Sequence, residues 1–204
     1  KGLFRIEETE EREDLSLNTG DERGYEFPSH FIRTPPTTAY RVTTENGFSF
    51  VCSGIHQVLT QSGWKLGREL TAGDSLPMPS TYRFPKGQTD GDESLAWLIG
   101  QTADLGGQTH SSILVSPFSV VASYLECLLS REDFKDGLSE TMARETQILL
   151  LRSGQYSSIQ QIDDSRWLLV VKSGPVPQAL FVTSVEQLPG TQVLYDYYLP
   201  EGNR

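Results

Sequence analysis

Two cysteines and three histidines among 204 residues leave little from which to build a disulfide framework or a metal site. Cys52 and Cys127 lie in apolar stretches with no CxxC spacing, and both read as core residues. Long apolar runs are missing too: no stretch of about eighteen apolar residues occurs, so no membrane span is predicted. The opening residues, Lys1 to Asp14, are polar and acidic and do not resemble a signal peptide. Basic charge is scarce, with 17 Lys and Arg against 27 Asp and Glu and a formal net charge of -10. Holding a nucleic-acid backbone depends on Lys and Arg replacing counterions, so DNA binding is expected to be weak or absent. These absences predict a soluble, cytoplasmic, monomeric protein with no cofactor, no metal and no membrane contact.

What is present is an ordinary folding composition, 37% hydrophobic with three Trp, eight Tyr and nine Phe, in a chain long enough for one large or two small domains. Residues 39–60 alternate β-branched and aromatic side chains around Asn46-Gly47, a pair suited to a two-residue hairpin turn because both central positions need positive φ. The stretch before it, Glu7 to Thr37, is acidic and then rich in Gly, Ser and Pro, and reads as exposed loop. Pro, Gly and Asp between Tyr82 and Glu93 mark a boundary. Residues 94–154 then show helical spacing and end on the cap-like Gly154. Strands return at 166–172, 179–188 and 192–199. Strands, helices, then strands again suggest an α/β insert within a β domain.

Two segments carry a family resemblance. Gly47 to Thr60, followed by Ser62 to Leu76, resembles the intein block with a Thr-x-x-His turn and a Gly-Trp…Leu-x-x-Gly-Asp tail; here it reads Ser53-Gly54-Ile55-His56, with serine at the threonine position. Near the other end, Val182 to Arg204 resembles the late block that leads into the C-terminal splice junction. The resemblance implies a mainly β Hint domain, horseshoe-like, interrupted by a small α/β insert. It implies boundaries of 1–84 and 176–204 for the two parts of the splicing domain and 85–175 for the insert. The function implied is autocatalytic protein splicing: an N-terminal acyl shift, transesterification and asparagine cyclisation, with the flanking host segments, the exteins, as partners.

The first step must overcome amide resonance. An imidazole can protonate the departing amide nitrogen, and a hydroxyl or backbone N–H can polarise the amide. The resemblance therefore makes His56 and Ser53 candidates for those roles, and Asp196 the aspartate that supports the nucleophile. Asn203 falls where many inteins carry a second histidine; a neutral amide cannot transfer a proton. Taken alone, His56 reads as a strand-end hydrogen-bonder and Asp196 as a solvent-facing residue of an alternating strand. It is the surrounding block that singles them out.

The helical stretch resembles a reduced two-motif LAGLIDADG homing endonuclease. Leu95 to Gly100 matches the start of the first motif, Phe134 to Leu138 the start of the second, and Ala143 to Ile159 the helix and turn that follow it. In that family an acid at the foot of each motif helix jointly holds divalent metal. Aligned from the motif glycines, those positions fall on Leu105, with Asp104 one residue off, and on Met142, with Glu140 two residues before. A one-residue slip turns a helical side chain by about 100°. Residues 94–148 hold three Lys or Arg against seven Asp or Glu. DNA cleavage is expected to be lost.

An intein begins with its nucleophile and ends on asparagine. Residues Lys1 to Glu7 resemble the stretch after the first block, and Glu201 to Arg204 stop short of the last one, so the segment is expected to be the trimmed or ordered body of a longer element. Two alternatives stay open: an active homing endonuclease, and a Hint autoprocessing module that cleaves without ligating.

Overall fold

The structure, a computed structural model, describes residues 30–78, 92–114 and 116–198, with backbone alone at 30 and 196–198, and the backbone of two short strands nearer the start, β1 (Leu17–Asn18) and β2 (Tyr25–Glu26). Among the described residues the chain forms two compact units, one from 30–78 with 178–198 and the other from 92–177. None of the described helices is long and apolar enough to cross a membrane.

The first unit is mainly β. Its strands are β3 (His30–Arg33), β4 (Ala39–Thr44), β5 (Ser49–Ser53), β6 (Gln57–Thr60), β7 (Gly63–Leu66) and β8 (Ser75–Pro77), and later β11 (Ala179–Gln187) and β12 (Tyr195–Tyr198). A four-stranded antiparallel sheet runs β5-β4-β11-β8, with β12-β3 and β6-β7 as two-stranded ribbons. Along β4, Val42 and Thr44 are buried on one face and Ala39 on the other, and Val42 packs with Cys52, Leu70 and Val182 in a small core. A register break between Val182 and Ser184 lets β11 pair with β8 through its first residues and with β4 through its last.

The hairpin expected over 39–60 forms, but its loop differs from the two-residue turn. Gly47 alone has positive φ, at 78°, and no described non-glycine residue does. Gly47 N–H donates to Thr44 C=O at 2.8 Å, and the Asn46 side chain turns inward, its Oδ1 accepting from Thr44 Oγ1 at 2.7 Å and from Phe48 N–H at 3.2 Å. The inward bonds hold Asn46 with negative φ, so the loop is the wider kind that needs one left-handed glycine.

The Gly-Asp tail of the early block is a structural hook. Asp74 Oδ2 accepts from Thr71 N–H at 2.8 Å, Oδ1 pairs with Lys65 Nζ at 2.6 Å, and backbone bonds tie Gly73 and Asp74 to Val182 on β11. The Lys65 ammonium beside it holds the Asp74 carboxyl below the usual aspartate range.

The second unit holds α1 (Glu93–Thr102), α2 (Ser111–Leu114), α3 (Phe118–Ser130), α4 (Glu140–Arg152) and the hairpin of β9 (Ser157–Gln161) with β10 (Trp167–Val171). Asp92 caps α1 through Leu95 N–H and Ser139 caps α4 through Met142 N–H. Its core is much larger and includes Val121, Tyr124, Leu128, Leu138, Met142, Leu149 and Leu150, all at 0–1% exposure. Cys127, like Cys52, is buried, and burial raises both thiols above their ordinary value.

The stretch expected to open the second motif helix does not do so. Residues Asp133–Asp136 form a single 3-10 turn, Gly137 takes φ of 112°, and Leu138 bridges to Trp167 in a β arrangement. The left-handed glycine stops the turn, and the Ser139 cap starts a new helix two residues on. The helix that packs on α1 is instead α3. A Cβ on Gly100 would lie 2.8 Å from Tyr124 O and 3.1 Å from Cys127 Cβ, so only glycine permits this crossing distance. Arg131, just past α3, fastens the end of α1 by donating to Gly100 O and Ala103 O at 3.2 and 2.7 Å.

Candidate functional site

Ser53 is the last residue of β5, and the chain turns at once: His56 N–H donates to Ser53 C=O at 3.1 Å, closing Ser53-Gly54-Ile55-His56. His56 is exposed at the head of β6, and Ser53 is half-buried. The turn is clamped from below. Gly67 N–H donates to His56 C=O at 2.8 Å and Arg68 N–H to Gly54 C=O at 3.2 Å. A Cβ at Gly67 would stand 2.5 Å from Ser53 O and 2.8 Å from Cys52 Sγ, so the glycine is required for this seat. Glu69 Oε2 accepts from Leu66 N–H at 3.1 Å and fixes the short helical turn that carries Gly67.

Beside this turn lies a cleft of about 260 Å³ lined by Thr34, Phe50, Val51, Cys52, Ser53, His56, Leu194 and Tyr195. One wall is β5. The other joins residues far apart in sequence: Leu194 N–H donates to Thr34 Oγ1 at 2.9 Å, Thr34 N–H returns a bond to Leu194 C=O at 2.9 Å, and the ring of Tyr195 packs 5.7 Å from that of Phe31. Ser53 and His56 therefore share a cleft with the two residues that precede Asp196. The backbone of Asp196 pairs with Ile32 in the β12–β3 ribbon; its side chain, and Asn203 altogether, lie outside the described residues.

The remaining candidates belong to the helical unit and have packing or turn roles. Met142 is fully buried, its Sδ facing Thr109 Oγ1 at 3.5 Å and Tyr124 Oη at 3.8 Å; burial pushes the Tyr124 hydroxyl up to about 12. Leu105 packs on the same core, and its carbonyl accepts from Ser139 N–H at 2.8 Å. The Asp104 carboxylate accepts from Gly106 N–H at 3.0 Å, and Glu140 pairs with Arg144 at 2.9 Å. Among the described residues no group of three or more His, Cys, Asp or Glu is arranged to hold a metal ion.

Sequence reasoning missed Thr34, Phe50 and Cys52 as cleft residues and Gly67 as the seat of the turn. Gly67 carried a signal, a glycine between a strand and the polar stretch after it; Thr34 carried none. Cys52 is buried, and burial raises its thiol above the ordinary value.

No protein-family model matches the sequence, and no curated protein matches it. Among solved structures, the chain is similar to the G-1F mutant of Ssp DnaB mini-intein variant M86, at 14% identity over 97% of this chain and 78% of that one, with a TM-score of 0.42. It is also similar to the DnaX mini intein from Spirulina platensis, at 10% identity over 91% of this chain and 72% of that one, with a TM-score of 0.36. Scores of this size do not establish a shared fold.

Proposed function

We propose that the β unit is the body of a Hint-type intein, with 1–84 and 176–204 as its two parts and 85–175 as an insert. The observation that supports this reading is the cleft in which Ser53 and His56, from the early block, meet Leu194 and Tyr195, from the late block. In this reading His56 delivers a proton to the departing amide nitrogen, and Ser53 polarises the amide through its hydroxyl or its N–H. Asp196, next along from Tyr195, supports the nucleophile. The partners are the flanking host segments.

The test is a precursor carrying the segments that flank these residues in their open reading frame. Replacing His56 with Ala should slow N-terminal cleavage by on the order of 10²-fold or more, the usual worth of a positioned acid. Unchanged cleavage would remove the mechanism.

The helical unit is proposed to be an endonuclease remnant without nuclease activity. Support comes from α1, which carries the first motif and crosses α3 at Gly100. At the two positions where the resemblance places the metal-holding acids, Leu105 packs on the apolar core and Met142 is fully buried. Neither position offers a carboxylate to a shared metal. Nicking of an empty insertion site by the chain with Mg²⁺ would contradict this.

A further inference from the structure

The far wall of the cleft ends on a bulge built from two adjacent prolines. In the β12–β3 ribbon Tyr195 lies opposite Arg33, and the same register carries on to Leu194 opposite Thr34. The next rung joins Gln192 to Thr37, whose N–H and C=O bond across at 2.9 and 2.8 Å. Pro35 and Pro36 therefore stand against the single residue Val193, two residues opposite one, which is the count of a β-bulge. Neither proline has an N–H to leave unpaired, and a bulge is one of the few places where a strand accepts the residue. Each proline fixes its own φ and holds the residue before it extended, so the chain from Thr34 to Pro36 has little freedom.

The rung at the bulge is made by a side chain. A regular antiparallel pair would have Leu194 N–H donate to Thr34 C=O; it donates instead to Thr34 Oγ1, at 2.9 Å. The same hydroxyl donates to Leu194 C=O at 3.2 Å, beside the bond from Thr34 N–H. One hydroxyl thus stands in for a main-chain carbonyl, on a half-buried residue that lines the cleft with Leu194 and Tyr195. A backbone rung survives a change of side chain. This one is lost with the hydroxyl.

We propose that the Pro35-Pro36 bulge, latched by the Thr34 hydroxyl, sets where Leu194, Tyr195 and the backbone leading to Asp196 stand against the Ser53-His56 turn. Thr34 is then a positioning residue of this site, acting through Leu194. A bulge re-aims the strand it interrupts, and this one lies where the ribbon meets the cleft. The proposal rests on the splicing reading only for the reaction that is positioned. Such a reaction is sensitive to small shifts, since a displacement of about 1 Å can cost on the order of 10²-fold in rate.

Thr34→Val keeps the shape of the side chain and removes its hydroxyl, whereas Thr34→Ser keeps the hydroxyl. In the full chain, amide hydrogen exchange at Leu194 should quicken at least tenfold in Thr34→Val and stay slow in Thr34→Ser. The amide of Gln192, bonded to Thr37 C=O, should stay protected in both. The NMR ring signals of His56 and Tyr195 should move in Thr34→Val and return in Thr34→Ser. In the flanked precursor Thr34→Val should slow N-terminal cleavage at least tenfold with little change in melting temperature, and Thr34→Ser should restore the rate. Deleting Pro36 leaves Pro35 alone opposite Val193, a regular ladder, and should move the same ring signals and slow cleavage as much while Gln192 stays protected. Unmoved ring signals or undiminished cleavage in Thr34→Val or in the deletion, or a defect that Thr34→Ser does not rescue, overturns the proposal. Should Thr34→Val fail to fold, the deletion decides. The two readings fail separately: an unaltered precursor that never cleaves sinks splicing and leaves exchange and ring signals to judge the latch, whereas cleavage that needs His56 but ignores Thr34→Val and the deletion sinks the positioning alone.

Discussion

The helical unit and the β unit solve the folding problem in opposite ways. The helices surround a deep apolar core in which Tyr124, Leu128, Met142, Leu149 and Leu150 are inaccessible to water. Among its described residues the β unit has four buried apolar residues in its cluster, and it relies on turns, a glycine seat and a partly buried ion pair. A deep core accounts for its residues by packing and leaves few to do chemistry; a shallow one leaves polar groups at the edges, where a substrate can reach them. The candidate residues divide the same way. Leu105 and Met142 are explained by packing, whereas Ser53 and His56 line an open cleft.

Met142→Asp should break this contrast most severely. A carboxylate there would be buried without a cationic partner, and roughly 3–5 kcal/mol of stability should be lost, read by thermal or denaturant unfolding. An intact melt would mean that the site opens to solvent.

Two glycine substitutions sharpen the comparison. Gly67→Ala and Gly100→Ala each force a Cβ into backbone, at 2.5 Å from Ser53 O and 2.8 Å from Tyr124 O. Each should cost about 1–3 kcal/mol by overpacking. The consequences should differ: Gly67→Ala also displaces the Ser53-His56 turn and slows precursor cleavage, whereas Gly100→Ala leaves the cleavage rate unchanged below its melting temperature. Equal effects on cleavage would erase the distinction.

Asp74→Asn should have the smallest effect, about 1 kcal/mol or less, because Lys65 is one-third exposed and solvent weakens the pair. The folded carboxyl titrates below its ordinary 3.8, so its contribution is full above that pH and is lost as pH falls through the lower folded value. The unaltered chain should therefore lose stability in acid more steeply than Asp74→Asn. Parallel pH profiles would contradict the assigned role.

Much of this was legible in the residues. Alternation marked β4 and β5, and apolar spacing marked α1, α3 and α4. The loop type at Asn46-Gly47 was not legible, because it depends on Asn46 bonding inward to Thr44 and Phe48. The stretch Phe134 to Leu138 looks like the opening of a motif helix, but the two apolar residues are buried from a 3-10 turn and a β bridge, and the cue lies in Gly137 followed by the Ser139 cap. Within the site, Ser53 and His56 are three residues apart on one turn and could be read together. The far wall could not, since the Thr34–Leu194 contact spans 160 positions and nothing local specifies it.

The most direct test compares N-terminal cleavage of the flanked precursor in two variants, His56→Ala and Met142→Leu. Chemistry confined to the β-unit cleft predicts a loss on the order of 10²-fold for His56→Ala with an unchanged melt, and an unchanged rate for Met142→Leu despite a small drop in stability. Cleavage that survives His56→Ala, or that fails in a folded Met142→Leu, would contradict it.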